Sequence, residues 1–330
     1  MEFRTPVTLT PAGFSLSLQS PLLTMGSCFA EVMGDRLQQN KFPVIVNPFG
    51  TVFNPVSLAR LLRLSLGSEA VSDTRLVVVE QQWYHYDFHS RFAAATAENL
   101  MADIHQTISQ VTAFLATAHC LVLTLGTATV YRLRNDQQVV ANCHKVPAGL
   151  FEKSMLSWGE VLTPLEILFS KLFSHYPSLQ IILTVSPVRH IKDTLVTNGA
   201  SKSLLRAACH QLAAQFTNVS YFPAYEIMLD DLRDYRFYKA DMIHPSGVAE
   251  DYIWQIFTQT YLDIPARQFL QTWAKIKQSL AHRPFHKNTV SYQIFLNKLA
   301  QQLSALQHQA DVSAEIAEVR NQLNSIQLLE

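Results

Sequence analysis

The stretch LLTMGSCFAEVMGDRL (Leu22–Leu37) changes its period in mid-course. Leu22, Leu23 and Met25 belong to a short apolar run of the kind that fills a buried strand. After it, Phe29, Val32, Met33 and Leu37 recur at spacings of three and four, one face of a helix. The change falls at Gly26-Ser27. Ser27 is therefore expected on a tight strand-to-helix turn, at a helix N-terminus. A serine there serves either as a cap, worth about 1 kcal/mol, or as a nucleophile waiting for a base.

Outward from this turn the same alternation repeats. Apolar runs at PLLTM (21–25), CLVLTL (120–125), QIILTVSPV (180–188) and VSYFPAYEI (219–227) predict strands of a buried parallel sheet. Between them lie helical patterns. One runs from Glu98 to Thr117 through Ile104, Ile108, Val111 and Leu115. Another covers Thr163 to Phe173, and a third Ser201 to Phe216 through Leu204, Leu205, Ala208 and Leu212. A further helix follows DMIHPS, opened by Pro245 and Ser246, with Val248, Tyr252, Ile256 and Phe257 as its periodic residues. Strands alternating with helices predict an α/β fold with a parallel sheet.

The end of the chain differs. Leu299, Leu303, Leu306 and Ala310 keep one apolar phase; Val312, Ile316, Val319, Leu323 and Ile326 keep another. The slip at Asp311-Val312-Ser313 predicts one interrupted helix or two shorter ones. The expected division is a catalytic domain over 1–265 and a helical extension over 266–330. The extension either packs back on the catalytic body or serves as an arm for homo-oligomers.

Lys+Arg and Asp+Glu are both 26 in 330 residues, a formal net charge of zero. That balance argues against a nucleic-acid surface or a polybasic membrane anchor. The four cysteines form no C-x-x-C pair, and free thiols in a reducing compartment are expected. The start MEFRTPVTLT has no basic-then-apolar leader pattern. No apolar run nears the ~20 residues a bilayer span requires, so a soluble cytoplasmic protein is expected. G-x-x-x-x-G-K-[ST], G-x-G-x-x-G, H-E-x-x-H and G-x-S-x-G are all absent. With ten glycines in the chain, no phosphate-cradling loop and no cofactor are expected.

A serine nucleophile needs a base, and the base needs an orienting group. Among twelve histidines, His244 stands three residues after Asp241, close enough for one loop to present both. Both Ser27 and this pair follow segments read as strand ends, where open parallel sheets put their sites.

The string GSCFA (Gly26–Ala30) resembles the signature of the GSCFA family, which is similar to the SGNH or GDSL-like hydrolases. NPFGTVFNP (47–55), LTLGT (123–127), VVANCHKVP (139–147), TVSPVRH (184–190), YFPAYEI (221–227) and DMIHPS (241–246) follow in matching order. The resemblance covers roughly residues 20–260. It implies a three-layer α/β/α, flavodoxin-like sheet, with Ser27 as nucleophile, His244 as base and Asp241 as its orienter. The oxyanion hole it implies combines the backbone N–H of Ser27 or Cys28 with Gly50. The superfamily's G-x-N-D block is missing. LGTAT stands in its place, leaving Asn54 or Asn142 to supply the amide donor. One such donor is worth about 3–4 kcal/mol to an enzyme.

Other residues carry two readings each. Cys28 is a small buried hydrophobe or a rival nucleophile. His190, His144 and Thr127 line a substrate pocket or serve the structure. Arg189 binds an anionic substrate group or pairs with a carboxylate such as Glu226. His85 and His89 have metal-like spacing without a further ligand, so core or pocket wall is expected and no metal. The expected function is hydrolysis or transfer of an O-linked acyl group on a small-molecule or glycan ester, acetylated carbohydrate included. The alternative is a catalytically weak or inactive module that grips acylated glycans, with the C-terminal helices for assembly.

Overall fold

The computed structural model describes residues 4–286 and 289–327. The chain divides into two compact units: residues 1–10, 21–36 and 44–257, and residues 11–20, 37–43 and 258–330.

Among the described residues, the first unit is built on a five-stranded parallel sheet. Its strands are β1 (Leu22–Gly26), β2 (Val44–Val46), β5 (Cys120–Leu125), β9 (Gln180–Val185) and β10 (Val219–Phe222). The spatial order is β2-β1-β5-β9-β10. Every residue of β1 and of β5 is buried, which is why both read as continuous apolar runs. Edge strand β2 is three residues long and half-buried, too short to register as a period. Two smaller antiparallel sheets escape sequence reading as well. One pairs β3 (Leu76–Val79) with β4 (Gln82–His85); the other places β6 (Thr129–Leu133) between β7 (Val139–Val140) and β8 (Phe151–Met155).

Helices cover both faces of the parallel sheet. Leu23, Met25, Leu121, Leu123, Leu125, Ile181 and Leu183 point to one side. They share a core there with α2 (Pro55–Ser65), α3 (Ala97–Leu115), α4 (Trp158–His175) and α5 (Leu195–Gln215). On the other side lies α1 (Cys28–Gln39), whose Gly34 runs so close to Thr24 and Val46 that a Cβ would meet their side chains at 2.6–2.7 Å. Arg36 of α1 pairs with Glu250 and Asp251 of α7 (Gly247–Tyr261). A single-turn α6 (Ala224–Glu226) follows β10.

β1, β5, β9 and the helices α3, α4 and α5 fall on the apolar patterns, but the run 219–227 is a strand only to Phe222 and turns helical at Ala224, and α2 lies outside those patterns. The face of α7 also departs from its pattern. Its buried stripe is Ala249, Ile253, Phe257 and Tyr261, while Val248 is 67% exposed. A helix this rich in apolar residues offers two competing stripes, and packing chooses one.

In the second unit, α8 (Ile264–Leu280), α9 (Val290–Leu306) and α10 (Ser313–Gln327) form the helical part. Trp273 is buried, and its Nε1–H donates to Gln39 O at 2.8 Å. Lys41 pairs with Glu315 and lies over the Trp273 ring. Leu296, Leu299, Leu303 and Leu306 of α9 are buried, as are Ile316 and Val319 of α10. The phase slip at 311–313 is a helix break: the tail is two helices. Among the described residues no helix is long and apolar enough to cross a membrane.

Candidate active site

In chain order the parallel strands lie 2-1-3-4-5, and the order reverses between β1 and β5. Ligands of open α/β sheets bind outside the carboxyl ends of the strands at such a switch. Gly26 ends β1 at this point with φ +137°, and a Cβ on it would sit 2.1 Å from Thr124 O. No side chain fits, so glycine is obligatory where β1 and β5 approach.

Backbone bonds lace this edge together. Val52 N–H donates to Gly26 O at 2.9 Å. Gly126 and Thr127 N–H both donate to Phe53 O, at 2.8 and 3.1 Å, and Arg189 N–H donates to Ile243 O at 3.3 Å. Ser186 N–H donates to Leu125 O at 2.8 Å, so the turns after β1, β5 and β9, the 50s segment and the Asp241–His244 loop are joined by backbone bonds in one rim.

Ser27 occupies the strand-to-helix turn. Its N–H donates to Thr124 O at 3.1 Å, and its Oγ accepts the N–H of Phe29 at 3.3 Å, capping α1. The residue is 1% exposed. Cys28 begins α1, whose opening N–H groups have no partner within the helix. Burial pushes its thiol above the usual cysteine value, which disfavours a thiolate.

Asp241 and His244 meet as their spacing predicts. His244 Nδ1 lies 2.7 Å from Asp241 Oδ2, while Asp241 Oδ1 accepts the N–H groups of Ile243 and His244 at 2.9 and 3.0 Å. Those backbone donors, with the His244 ring, hold the Asp241 carboxyl down to about 2. The His244 side chain is 41% exposed. No hydrogen bond joins Ser27 to His244 among the described residues.

The donors expected for an oxyanion fare differently. Gly50 N–H closes a turn onto Asn47 O at 2.8 Å, and the glycine, at φ +77°, faces the His89 ring. Asn54 is 5% exposed and caps α2, its Oδ1 accepting Ser57 N–H at 2.8 Å; this bond leaves the Nδ2 amide available. Asn142 Oδ1 accepts the N–H of His144.

Asn54, Asn142, Thr127, Arg189 and His190 all line one cleft of about 680 Å³. Burial, with Lys202 and His244 nearby, pushes His190 down to about 4, so its ring is neutral at pH 7. It meets the edge of Phe53 at 5.5 Å. The expected pairing of Arg189 with Glu226 does not occur: Glu226 is taken by Arg206 and Tyr221. Arg189 instead lies 3.9 Å over the Tyr238 ring. His144 is not in the cleft. It is buried, stacked on Tyr84 and bonded through Nε2 to His85 O. His85 is fully buried, bonded to Ser72 O and to the N–H of Asp87. Among the described residues no His/Cys/Asp/Glu group could hold a metal.

Lys202 is the site-adjacent residue that sequence reasoning missed. Its buried Nζ donates to Gly126 O and Ser186 O, both at 2.7 Å, tying the ends of β5 and β9 together. Burial pushes it down to about 7. The signal was present: Lys202 stands three residues before Leu205, on the buried face of α5.

A model of the GSCFA family matches residues 21–257, and a model of the C-terminal domain of GSCFA domain proteins matches residues 273–325. The chain belongs to the GSCFA family. The GSCFA motif itself is the turn just described, with Gly26 in the close approach and Ser27 at the head of α1. No curated protein matches the sequence. Among solved structures it is similar to a putative platelet activating factor from Streptococcus pneumonia: 14% identity, 73% of this chain, 83% of that one, TM-score 0.39. It is also similar to a Clostridium thermocellum family 3 carbohydrate esterase: 14% identity, 73% of this chain, 94% of that one, TM-score 0.32. A family 3 carbohydrate esterase from Talaromyces cellulolyticus is 10% identical over 78% of this chain and 99% of that one, TM-score 0.30.

Proposed function

We propose that this GSCFA protein is a serine ester hydrolase acting on an O-acyl substrate, with Ser27, His244 and Asp241 as its catalytic residues. The Asp241–His244 pair carries the reading. A carboxylate locked by two backbone N–H groups and bonded to Nδ1 leaves Nε2 unprotonated in the neutral ring, the form a general base requires. His244 Nε2 takes the Ser27 proton as Oγ attacks the ester carbonyl. The tetrahedral oxyanion is held by the Cys28 N–H and the Asn54 Nδ2 amide. His244 returns the proton to the departing alcohol, leaving an acyl-serine. A water deprotonated by His244 then attacks the acyl carbonyl, and His244 returns that proton to Ser27 Oγ as the acyl–serine bond breaks and the carboxylic acid leaves. Loaded geometry must be tighter than the resting one, since catalytic hydrogen bonds often close only in the Michaelis complex.

A second reading draws on Ser27 being 1% exposed with its hydroxyl engaged as a helix cap. The protein would then bind an acylated ligand without turning it over. A fluorophosphonate probe separates the two. Labelling at Ser27 that survives Cys28→Ala and vanishes in Ser27→Ala and His244→Ala supports hydrolysis. An unlabelled, folded protein rejects it in favour of the binding module.

A further inference from the structure

The cleft beside the proposed site is mostly apolar. Asn54, Thr127 and His190 are among its polar lining residues. The rest of the lining is mainly apolar, with Val130, Val140, Ala141, Phe151, Ile191 and Ile243 from β6, β7, the start of β8, the segment after β9 and the Asp241–His244 loop, but it also carries the charged side chains of Lys153, Arg189, Lys192 and Asp193. Val130, Val140 and Phe151 are each 5% exposed or less, so this wall is fixed by packing. At about 680 Å³ the cleft is in the range of sites that bury a drug-sized ligand, roughly 300–1,000 Å³. An acetyl group would leave most of it wet and unused.

His244, the residue that would protonate the leaving alcohol, has a side chain 41% exposed to solvent. With its carbonyl oxygen on Asn54, which lines the cleft, the acyl group of the proposed substrate would extend into it. From this geometry we infer that the cleft is an acyl-chain subsite and that the substrates are esters of apolar acyl chains of several carbons, in preference to acetyl esters. The inference rests on the esterase reading for its chemistry, and on the cleft alone for its selectivity.

Each methylene moved from water onto an apolar wall is worth about fourfold in affinity. The full-length protein is assayed with nitrophenyl acetate, butyrate, hexanoate and octanoate, with Ser27→Ala as control. Separately, calorimetry measures binding of acetate and octanoate anions to Ser27→Ala. The expected result is a two- to fourfold rise in kcat/KM per methylene until the cleft is full, with octanoate binding at concentrations where acetate does not. Ala141→Trp fills the cleft and should cut the octanoate-to-acetate ratio at least tenfold. Ile191→Asp, at a residue 44% exposed and so tolerant of substitution, should lower the same ratio if the tryptophan variant fails to fold.

Ser27-dependent turnover that is fastest on acetate, or flat with chain length, overturns the inference and leaves the esterase reading intact. Octanoate binding without turnover of any ester overturns the esterase reading and supports the apolar cleft. Neither binding nor turnover overturns both.

Discussion

Replacing Lys202 with methionine tests the electrostatics beneath the site. The Lys202 ammonium is buried, and burial pushes it down to about 7, against about 10.4 for an unfolded lysine. Below about 7 both states bind the proton, and the folded state bears the full penalty of a buried cation. Between those two values the unfolded chain holds one proton more than the folded one. Stability therefore rises with pH through that window, by about 1.4 kcal/mol per unit. The neutral amine keeps two hydrogens for its two carbonyl partners, Gly126 O and Ser186 O, so no bond is lost on deprotonation. Over about pH 7.5 to 9.5 the wild type should gain about 3 kcal/mol relative to Lys202→Met. The variant also leaves two carbonyls unpaired, a cost of about 1–3 kcal/mol each, but that offset does not change with pH. Urea denaturation of both proteins at matched ionic strength reads the difference, and other titrating groups cancel. Parallel stability-versus-pH curves, or a difference that shrinks on the alkaline side, would refute the reasoning.

Further expectations follow from single contacts. Gly26→Ala drives a Cβ into Thr124 O and should cost about 3 kcal/mol or more; a variant with wild-type Tm contradicts the close approach of β1 and β5. Asp241→Asn should lower kcat roughly a thousandfold or more, with KM little changed, because the imidazole loses the acceptor that sets its tautomer. Asp241 itself stays ionised down to about 2, so any acid limb of the wild-type rate profile above about pH 3 must belong to another group; carboxylate protonation seen by NMR above pH 4 would contradict this. His190, down at about 4, remains neutral at pH 6, and a chemical-shift titration centred above 6 would refute its burial. Leu303→Ala in the helical unit removes a fully buried side chain and should cost about 2–5 kcal/mol in denaturation; a loss below about 1 kcal/mol would mean the α9–α10 packing is not as described.

Some of this protein is written in local order. β1, β5 and β9 are buried on both faces, so their runs are apolar throughout, and the period changes at Gly26-Ser27 because the backbone itself changes there. The Asp241–His244 contact also follows from three residues of spacing, since one turn of backbone brings both side chains together and two N–H groups lock the carboxylate. The break at 311–313 shows as a phase slip because helix faces cannot continue across it. Strand β2 and the small sheets β3–β4 and β6–β7–β8 were not legible. Short strands, half exposed, have too few buried positions to impose a period.

What the sequence by itself determined is the α/β alternation, the serine turn and the Asp–His loop, all products of contacts within a few residues. The tertiary structure alone decided that His144 stacks on Tyr84 away from the cleft, and that Lys202 bridges two strand ends. It also took Glu226 from Arg189 and gave it to Arg206. In each case the partner lies far along the chain or competes with a near equal, and only packing settles which donor meets which acceptor once water has been excluded.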